Sequence, residues 1–162
     1  MHMGSRIGTG IVWALILAFV VVGFVLVQNG SINPPTLFRD KFVLKQIRVN
    51  GGTLSVRVAR TPEEQKASLN GVASMPKNEG MLFIFKDDSR YSISTSEMLF
   101  PVDIIWIGRT GAIVDARANV SPGLRDPVKP LANARYVLLV NAGTMDRYDI
   151  TTRSSVDISD IQ

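Results

Sequence analysis

The feature that most constrains this chain is an unbroken apolar segment near its amino terminus. No residue in 11–27 has a polar side chain, and extending the segment back to residue 7 gives 21 residues. A helix rises about 1.5 Å per residue, so a helix of this length spans about 30 Å and can cross the hydrocarbon core of a bilayer. We therefore predict a single transmembrane helix over residues 7–27, preceded by a short tail over residues 1–6.

Two alternatives to a membrane anchor are a buried core helix and a cleaved signal peptide. A core helix of a globular domain normally keeps a polar face, which this segment lacks. A signal peptide requires small residues at its cleavage site, and residues 25–29 (Val-Leu-Val-Gln-Asn) offer none. An uncleaved anchor is therefore the favoured interpretation.

Two opposing signals indicate the side of the membrane on which the rest of the chain lies. Arg6 precedes the segment, whereas Arg39, Lys41, Lys45 and Arg48 follow it. By the positive-inside rule, this distribution would leave the domain in the cytoplasm. A very short amino-terminal tail favours the opposite orientation. We predict an extracytoplasmic domain at the cell envelope.

Beyond the anchor, the composition changes twice. Residues 28–40 contain Asn33-Pro34-Pro35, which disfavours helix and indicates a linker. From residue 41 to residue 162, short alternating stretches predict one β-rich globular domain. The strands are expected near residues 42–47, 54–59, 80–86, 90–94, 102–108, 112–118, 135–141 and 148–157.

Turn and capping signals complete this prediction. Residues 50–52 (Asn-Gly-Gly) and residues 108–111 (Gly-Arg-Thr-Gly) are typical of tight turns, and the proline-rich residues 119–134 predict a long ordered loop. Thr61 and Glu64 form a capping box around Pro62, which predicts a helix from there to about residue 69. Many short strands and one short α-helix indicate a mainly β, compact, β-sandwich-like domain.

Histidine and cysteine chemistry is excluded from the domain. The chain has no cysteine, and its single histidine, His2, precedes the apolar segment. This removes Ser-His-Asp and Cys-His nucleophilic sites and most zinc and copper ligand sets, so we predict no metal and no cofactor. The net charge is +4, but the basic residues occur singly along the chain. A nucleic-acid partner is therefore not expected.

Three stretches carry a resemblance to a known family. They are residues 79–85 (Glu-Gly-Met-Leu-Phe-Ile-Phe), 101–107 (Pro-Val-Asp-Ile-Ile-Trp-Ile) and 136–143 (Tyr-Val-Leu-Leu-Val-Asn-Ala-Gly). Their order and spacing resemble the family called domain of unknown function 192, over about residues 53–158. The resemblance implies a compact β-sandwich with one or two short helices, and it brings no assigned activity.

The chain departs from that family at several polar positions. Family members typically have a Phe-Trp-Met followed closely by Asn-Thr before the shared proline and aspartate. They also often have a Gly-Leu-Met followed by an arginine ahead of the first of the three stretches, and a glutamate within the third. In this chain the places of the Phe-Trp-Met and Asn-Thr are taken by Ile93, Ser94, Thr95, Glu97 and Met98. The Gly-Leu-Met corresponds to Ser68, Leu69 and Asn70, the arginine to Val72 and the glutamate to Leu139. If the family's polar groups form a site, this chain is altered or inactive in it.

Asp103 and Glu97 are the weak catalytic candidates. Asp103 opens a strand whose next four residues are apolar, so it is expected at the margin of the core. There it could act as a general acid or base, or it could be a structural carboxylate that accepts backbone N–H groups. Two carboxylates held about 5–9 Å apart can hydrolyse glycosidic bonds. A carboxylate-dependent hydrolase or small-ligand enzyme is therefore one hypothesis.

The favoured hypothesis is a membrane-anchored binding or interaction module of unknown specificity that is not an enzyme. Its partners would be the membrane, through residues 7–27, and an unknown protein or small ligand. The predicted contact surface combines the hydroxyl-rich segment 92–98 with the proline loop 119–133. Its candidate binding residues are Ser94, Thr95, Ser96, Glu97, Arg125 and Lys129.

Overall fold

The computed structural model describes residues 44–161. The predicted tail, the anchor over 7–27, the linker over 28–40 and the first residues of the domain lie outside the described residues. Within 44–161, no helix is both long enough and apolar enough to cross a membrane.

Seven strands and two short helices make up most of the regular structure in the described residues. These elements are β1 (Leu44–Val49), β2 (Gly52–Ala59), α1 (Pro62–Ala67), β3 (Glu79–Ser89), β4 (Val102–Ile107), β5 (Ile113–Val120), β6 (Ala134–Asn141), α2 (Thr144–Arg147) and β7 (Val156–Asp157), followed by a 3-10 turn (Ser159–Ile161). The prediction of a mainly β domain is confirmed.

Two of the predicted strands are much shorter than expected. Residues 90–94 contribute only an isolated bridge, between Ile93 and Val128. Most of the strand expected over 148–157 is replaced by a turn after the unpredicted α2, where Asp149 has φ 49°, and only Val156–Asp157 remains as β7. A residue with positive φ cannot continue a strand, so the extended pattern is interrupted there.

The strands form a single sheet in the order β5-β4-β6-β3-β2-β1-β7. Neighbours are antiparallel except β2 and β3, which are parallel and are connected through α1. A bridge between Ala112 and Ser155 joins the segments just before the two edge strands, β5 and β7. The described strands therefore make one curled sheet, whereas the sequence predicts a sandwich-like arrangement.

Gly111 allows this close approach of the two edges. Its carbonyl accepts a hydrogen bond from the Val156 N–H at 2.8 Å. Its φ is +87°, and a Cβ on this residue would lie 2.4 Å from the Val156 carbonyl oxygen. Only glycine satisfies both the conformation and the space.

The predicted turn at residues 50–52 and the predicted start of the helix are confirmed. Asn50 and Gly51 have φ values of 45° and 79°, which is the type I′ geometry expected of a two-residue hairpin loop. The Thr61–Glu64 capping box is present, with Pro62 in the first turn. The helix ends at Ala67, two residues before the predicted end, because Ser68 adopts φ 45°.

Both faces of the central strands are buried, and each face contributes to a separate core. The inner core lies on the face that includes Ile105 and Ile107, and the outer core on the face that includes Ile104 and Trp106. Side chains from the irregular segments, among them Leu69, Ile93 and Met98, belong to the outer core. The hydroxyl-rich segment is therefore held over the outer face of the sheet.

Candidate functional site

The two segments of the predicted contact surface lie side by side. Ile93 and Val128 exchange two backbone hydrogen bonds of 2.9 Å. The Gly123 N–H donates to the Thr95 carbonyl at 2.7 Å, and the Thr95 hydroxyl donates to the Ser121 carbonyl at 3.0 Å. The predicted loop begins later than expected, because residues 119 and 120 complete β5. We call segment 92–98 and residues 119–133 (loop 119–133) together the contact surface; backbone pairing makes them one unit.

Thr95 joins the two segments from the buried side of the contact surface. Its side chain is fully buried, and both its hydroxyl and its carbonyl are used in bonds to loop 119–133. The sequence includes Thr95 among the candidate binding residues, but the structure places it in the interior. Its neighbours Ser94 and Ser96 are exposed and share a hydrogen bond of 2.9 Å between their hydroxyls.

The charged side chains of the contact surface are exposed. Glu97, Arg125 and Lys129 all lie at the surface. The described residues form three ion pairs, and none of them includes any of these three side chains. Within residues 44–161, these three charges are therefore exposed and outside the ion pairs of the fold.

Exposed leucines accompany these charges. Leu99 is 61% exposed, Leu124 38% and Leu131 73%. They are three of the four large hydrophobic side chains that are exposed among the described residues, and the fourth, Leu44, opens β1. Leu124 and Leu131 lie in loop 119–133, and Leu99 directly follows segment 92–98. Three exposed leucines therefore lie on, or directly after, the two segments of the contact surface.

A polar groove separates α1 from the hydroxyl-rich segment. It has a volume of about 330 Å³ and is lined by Gln65, Lys66, Ser68, Asn70, Phe83, Ser92, Ile93, Ser94, Ser96 and Glu97. Five of these, Ser68, Asn70, Ile93, Ser94 and Glu97, are among the positions at which the sequence is expected to depart from the family pattern. The buried Ser68 hydroxyl has no hydrogen-bond partner in the described structure. The fold thus brings these five positions together at one groove.

Asp103 has the geometry of a structural carboxylate that accepts backbone N–H groups, which is one of the two interpretations of its sequence position. It is fully buried. Its Oδ1 accepts the N–H groups of Asn119 at 2.8 Å and Gly143 at 3.4 Å, and its Oδ2 accepts the Met145 N–H at 2.8 Å. It joins the bulge between β4 and β5 to the start of α2. The groove that Glu97 lines does not include Asp103.

Asp115 is a buried carboxylate that the sequence analysis did not single out. It is 5% exposed and accepts the N–H groups of Leu131 at 2.7 Å and Ala116 at 2.8 Å, as well as a bond from Arg117 Nη1. Burial alone would raise the pKa of Asp115, but the bonds from Leu131, Arg117 and Ala116 outweigh it and lower the pKa. Simple alternation from Ile113 could not have found it, because a bulge in β5 places Asp115 opposite Trp106 of the outer core, whereas Ile113 lies opposite Ile107 of the inner core. Asp115 therefore fastens loop 119–133 at Leu131.

A metal centre has no support among the described residues, since residues 44–161 contain no group of three or more His, Cys, Asp or Glu side chains that could hold an ion.

The family assignment rests on a match over residues 45–158 to the model of domain of unknown function 192, described as "Uncharacterized ACR". The chain belongs to this family. Comparison with curated proteins gives no match.

Two crystal structures share the fold. One, from Sinorhizobium meliloti 1021, is described as a candidate transcription regulator; it is 24% identical, with a TM-score of 0.68, and the match covers 72% of this chain and 94% of that chain. The other is a protein of unknown function from Novosphingobium aromaticivorans DSM 12444, which is 22% identical, with a TM-score of 0.69 and coverage of 78% and 90%. At these identities the similarity establishes the fold alone.

Proposed function

We propose that this protein is a membrane-anchored binding module that captures a partner protein on the contact surface and catalyses no reaction. The observation that carries the proposal is the position of Leu99, Leu124 and Leu131 on or beside two hydrogen-bonded segments, together with the charges of Glu97, Arg125 and Lys129. Apolar side chains surrounded by accessible charges are typical of protein interfaces. The charges would steer the partner and set its orientation.

The alternative of a carboxylate-dependent enzyme receives less support. Three backbone N–H groups engage the Asp103 carboxylate, which is fully buried, so it has little capacity left for a substrate. Glu97 is exposed and lines a groove that lacks a second carboxylate. We therefore propose a structural role for Asp103 and a binding role for Glu97.

A nucleic-acid partner is also not part of the proposal. In residues 44–161 the two helices have six and four residues, so they are about 9 Å and about 6 Å long. Reading bases in a major groove commonly uses a longer helix or a two-stranded ribbon presented with basic residues. The contact surface has two basic residues, Arg125 and Lys129, but it also carries Glu97 and exposed leucines, and it contains no helix.

The location is proposed from the apolar segment over residues 7–27. Anchored there, with residues 28–40 as a linker, the domain would be displayed at the cell envelope. We expect the full chain to stay in the membrane fraction after alkaline carbonate extraction. Release into the supernatant would contradict the anchor.

The test of the binding proposal removes the three charges of the contact surface. In the variant Glu97→Gln/Arg125→Gln/Lys129→Gln, we expect crosslinked capture of the partner in native membranes to fall at least about tenfold. The melting temperature should stay close to that of the unmodified chain, because all three side chains are exposed.

A matched control uses three exposed charges outside the contact surface. Asp87→Asn/Lys45→Gln/Arg153→Gln makes the same change in net charge, and each of these residues is exposed. Capture should be retained in this control. If both triple variants capture the partner as well as the unmodified chain, the contact surface is wrongly placed.

A further inference from the structure

A second cavity, distinct from the contact surface, is lined by three arginines. It has a volume of about 320 Å³, and its walls are Arg60, Ile84, Arg109, Arg135, Tyr136 and Ile161. The arginines come from three separate parts of the chain: the end of β2, the turn between β4 and β5, and β6. No acidic side chain is among the residues that line it.

The guanidinium of Arg135 makes this cavity unusual. Its Nη1 atom is buried and has no hydrogen-bond partner in the described structure. A buried donor on a charged group that lacks an acceptor destabilises a fold, so such donors normally have a partner. An anion bound in the cavity would supply the missing acceptor.

The other two arginines retain free donors. Arg60 uses one nitrogen, Nη2, to donate to the Ile161 carbonyl at 2.5 Å. Arg109 uses Nε and Nη2 to contact Asp88 at 3.4 and 3.3 Å, in an exposed ion pair. A guanidinium has five N–H donors, so both side chains have donors left for a ligand. The Tyr136 hydroxyl makes no hydrogen bond within the described residues and could add another donor.

The charge of the cavity indicates the class of ligand. Three guanidinium groups, with Asp88 offsetting one of them, leave a local charge of about +2, which matches a phosphate dianion. Arginine forks fit the tetrahedral arrangement of phosphate oxygens and bind them in pairs. We propose that this cavity binds a phosphate group as the free anion or as a monoester.

The test measures binding of inorganic phosphate, and of glycerol 3-phosphate as a soluble monoester, to the full chain in detergent by calorimetry. Saturable binding is expected, and Arg135→Gln should weaken it at least about tenfold, since a charge-assisted hydrogen bond is lost. Arg109→Gln should weaken it less, because that side chain is exposed and already paired. Arg153→Gln, which removes an exposed arginine that does not line the cavity, should bind as the unmodified chain does.

Melting temperatures separate lost binding from lost folding. Without phosphate, Arg135→Gln should melt at or above the temperature of the unmodified chain, because it removes an unpartnered buried donor. With phosphate, the unmodified chain should gain stability and the variant should not. If the unmodified chain does not bind, or if Arg135→Gln and Arg153→Gln bind equally well, the proposal fails.

A third arm distinguishes a soluble phosphate from a lipid headgroup. The full chain and its Arg135→Gln variant, in detergent, are titrated with short-chain phosphatidic acid and, as a control without a phosphate monoester, with short-chain phosphatidylcholine. Binding of phosphatidic acid no tighter than that of glycerol 3-phosphate assigns a soluble ligand. Tighter binding of phosphatidic acid that depends on Arg135 assigns a lipid monoester. Binding of phosphatidic acid that is unchanged in Arg135→Gln, with no binding of the soluble phosphates, overturns the site.

Discussion

The buried junction around Asp103 and the exposed contact surface differ in the partners of their polar side chains. At the junction, both carboxylate oxygens are engaged by backbone N–H groups from the β4–β5 bulge and from the start of α2. On the contact surface, Glu97, Arg125 and Lys129 are exposed and take part in none of the ion pairs of the described residues. Polar groups that are saturated with protein partners hold the fold, whereas accessible ones can bind. This comparison supports the structural role proposed for the first region and the recognition role proposed for the second.

The largest expected effect on stability comes from removing the Asp103 carboxylate from the junction. Asp103→Ala leaves the N–H groups of Asn119, Gly143 and Met145 without their acceptor, and we expect a loss of about 3–5 kcal/mol in the free energy of unfolding. Denaturant titration of the full chain measures it. Asp103→Asn keeps the shape and one acceptor oxygen, so it should lose less. A loss below about 1 kcal/mol for Asp103→Ala would contradict the structural role.

A smaller effect is expected at Asp115, which links the core to loop 119–133. Its pKa is lowered in the folded protein, so its ionised form stabilises the fold above the ordinary value of 3.8. That contribution is lost as pH falls through the lowered folded pKa. We expect Asp115→Asn to lose about 1–2 kcal/mol at neutral pH and the difference from the unmodified chain to shrink below about pH 4.

The control for this pH dependence is Asp157. Its pKa is also lowered, chiefly by hydrogen bonds from Ser159, but it is exposed, and its side-chain hydrogen bonds within the described residues are to Ser159 and not to loop 119–133. The free energy of unfolding of Asp115→Asn should therefore still depend on pH in the acid range, and this dependence should decrease further in Asp115→Asn/Asp157→Asn. A constant difference between Asp115→Asn and the unmodified chain from neutral pH to pH 3 would argue against the role given to Asp115.

Local signals account for the parts of the fold that the sequence predicts well. The Asn50-Gly51 turn and the Thr61–Glu64 capping box depend on residues within four positions of one another, so their geometry follows from the residues themselves. The alternation of buried and exposed positions in β2 likewise marks its strand. The hydroxyl-rich and the proline-rich segments, which the sequence groups by composition, do lie side by side, and their role in binding stays a prediction.

The features that could not be predicted depend on partners far along the chain. The curl of the sheet requires Gly111 to meet Val156, and no local pattern indicates that pair. Thr95 resembles its exposed serine neighbours in sequence, yet it is buried because its hydroxyl reaches Ser121. The arginine cavity was missed for the same reason, since Arg60 and Arg135 are 75 positions apart in the chain.

Site-directed crosslinking tests the central claim, that the contact surface receives a partner, most directly. Because the chain has no cysteine, Ser96→Cys and Leu131→Cys each give a unique thiol on the contact surface, and Ser155→Cys gives one beside β7 as a control. Each variant is labelled in membranes with a photoactivatable maleimide and illuminated. The account predicts an adduct of the same mass from Ser96→Cys and Leu131→Cys and none from Ser155→Cys. Equal adducts from all three positions, or an adduct from Ser155→Cys alone, would contradict it.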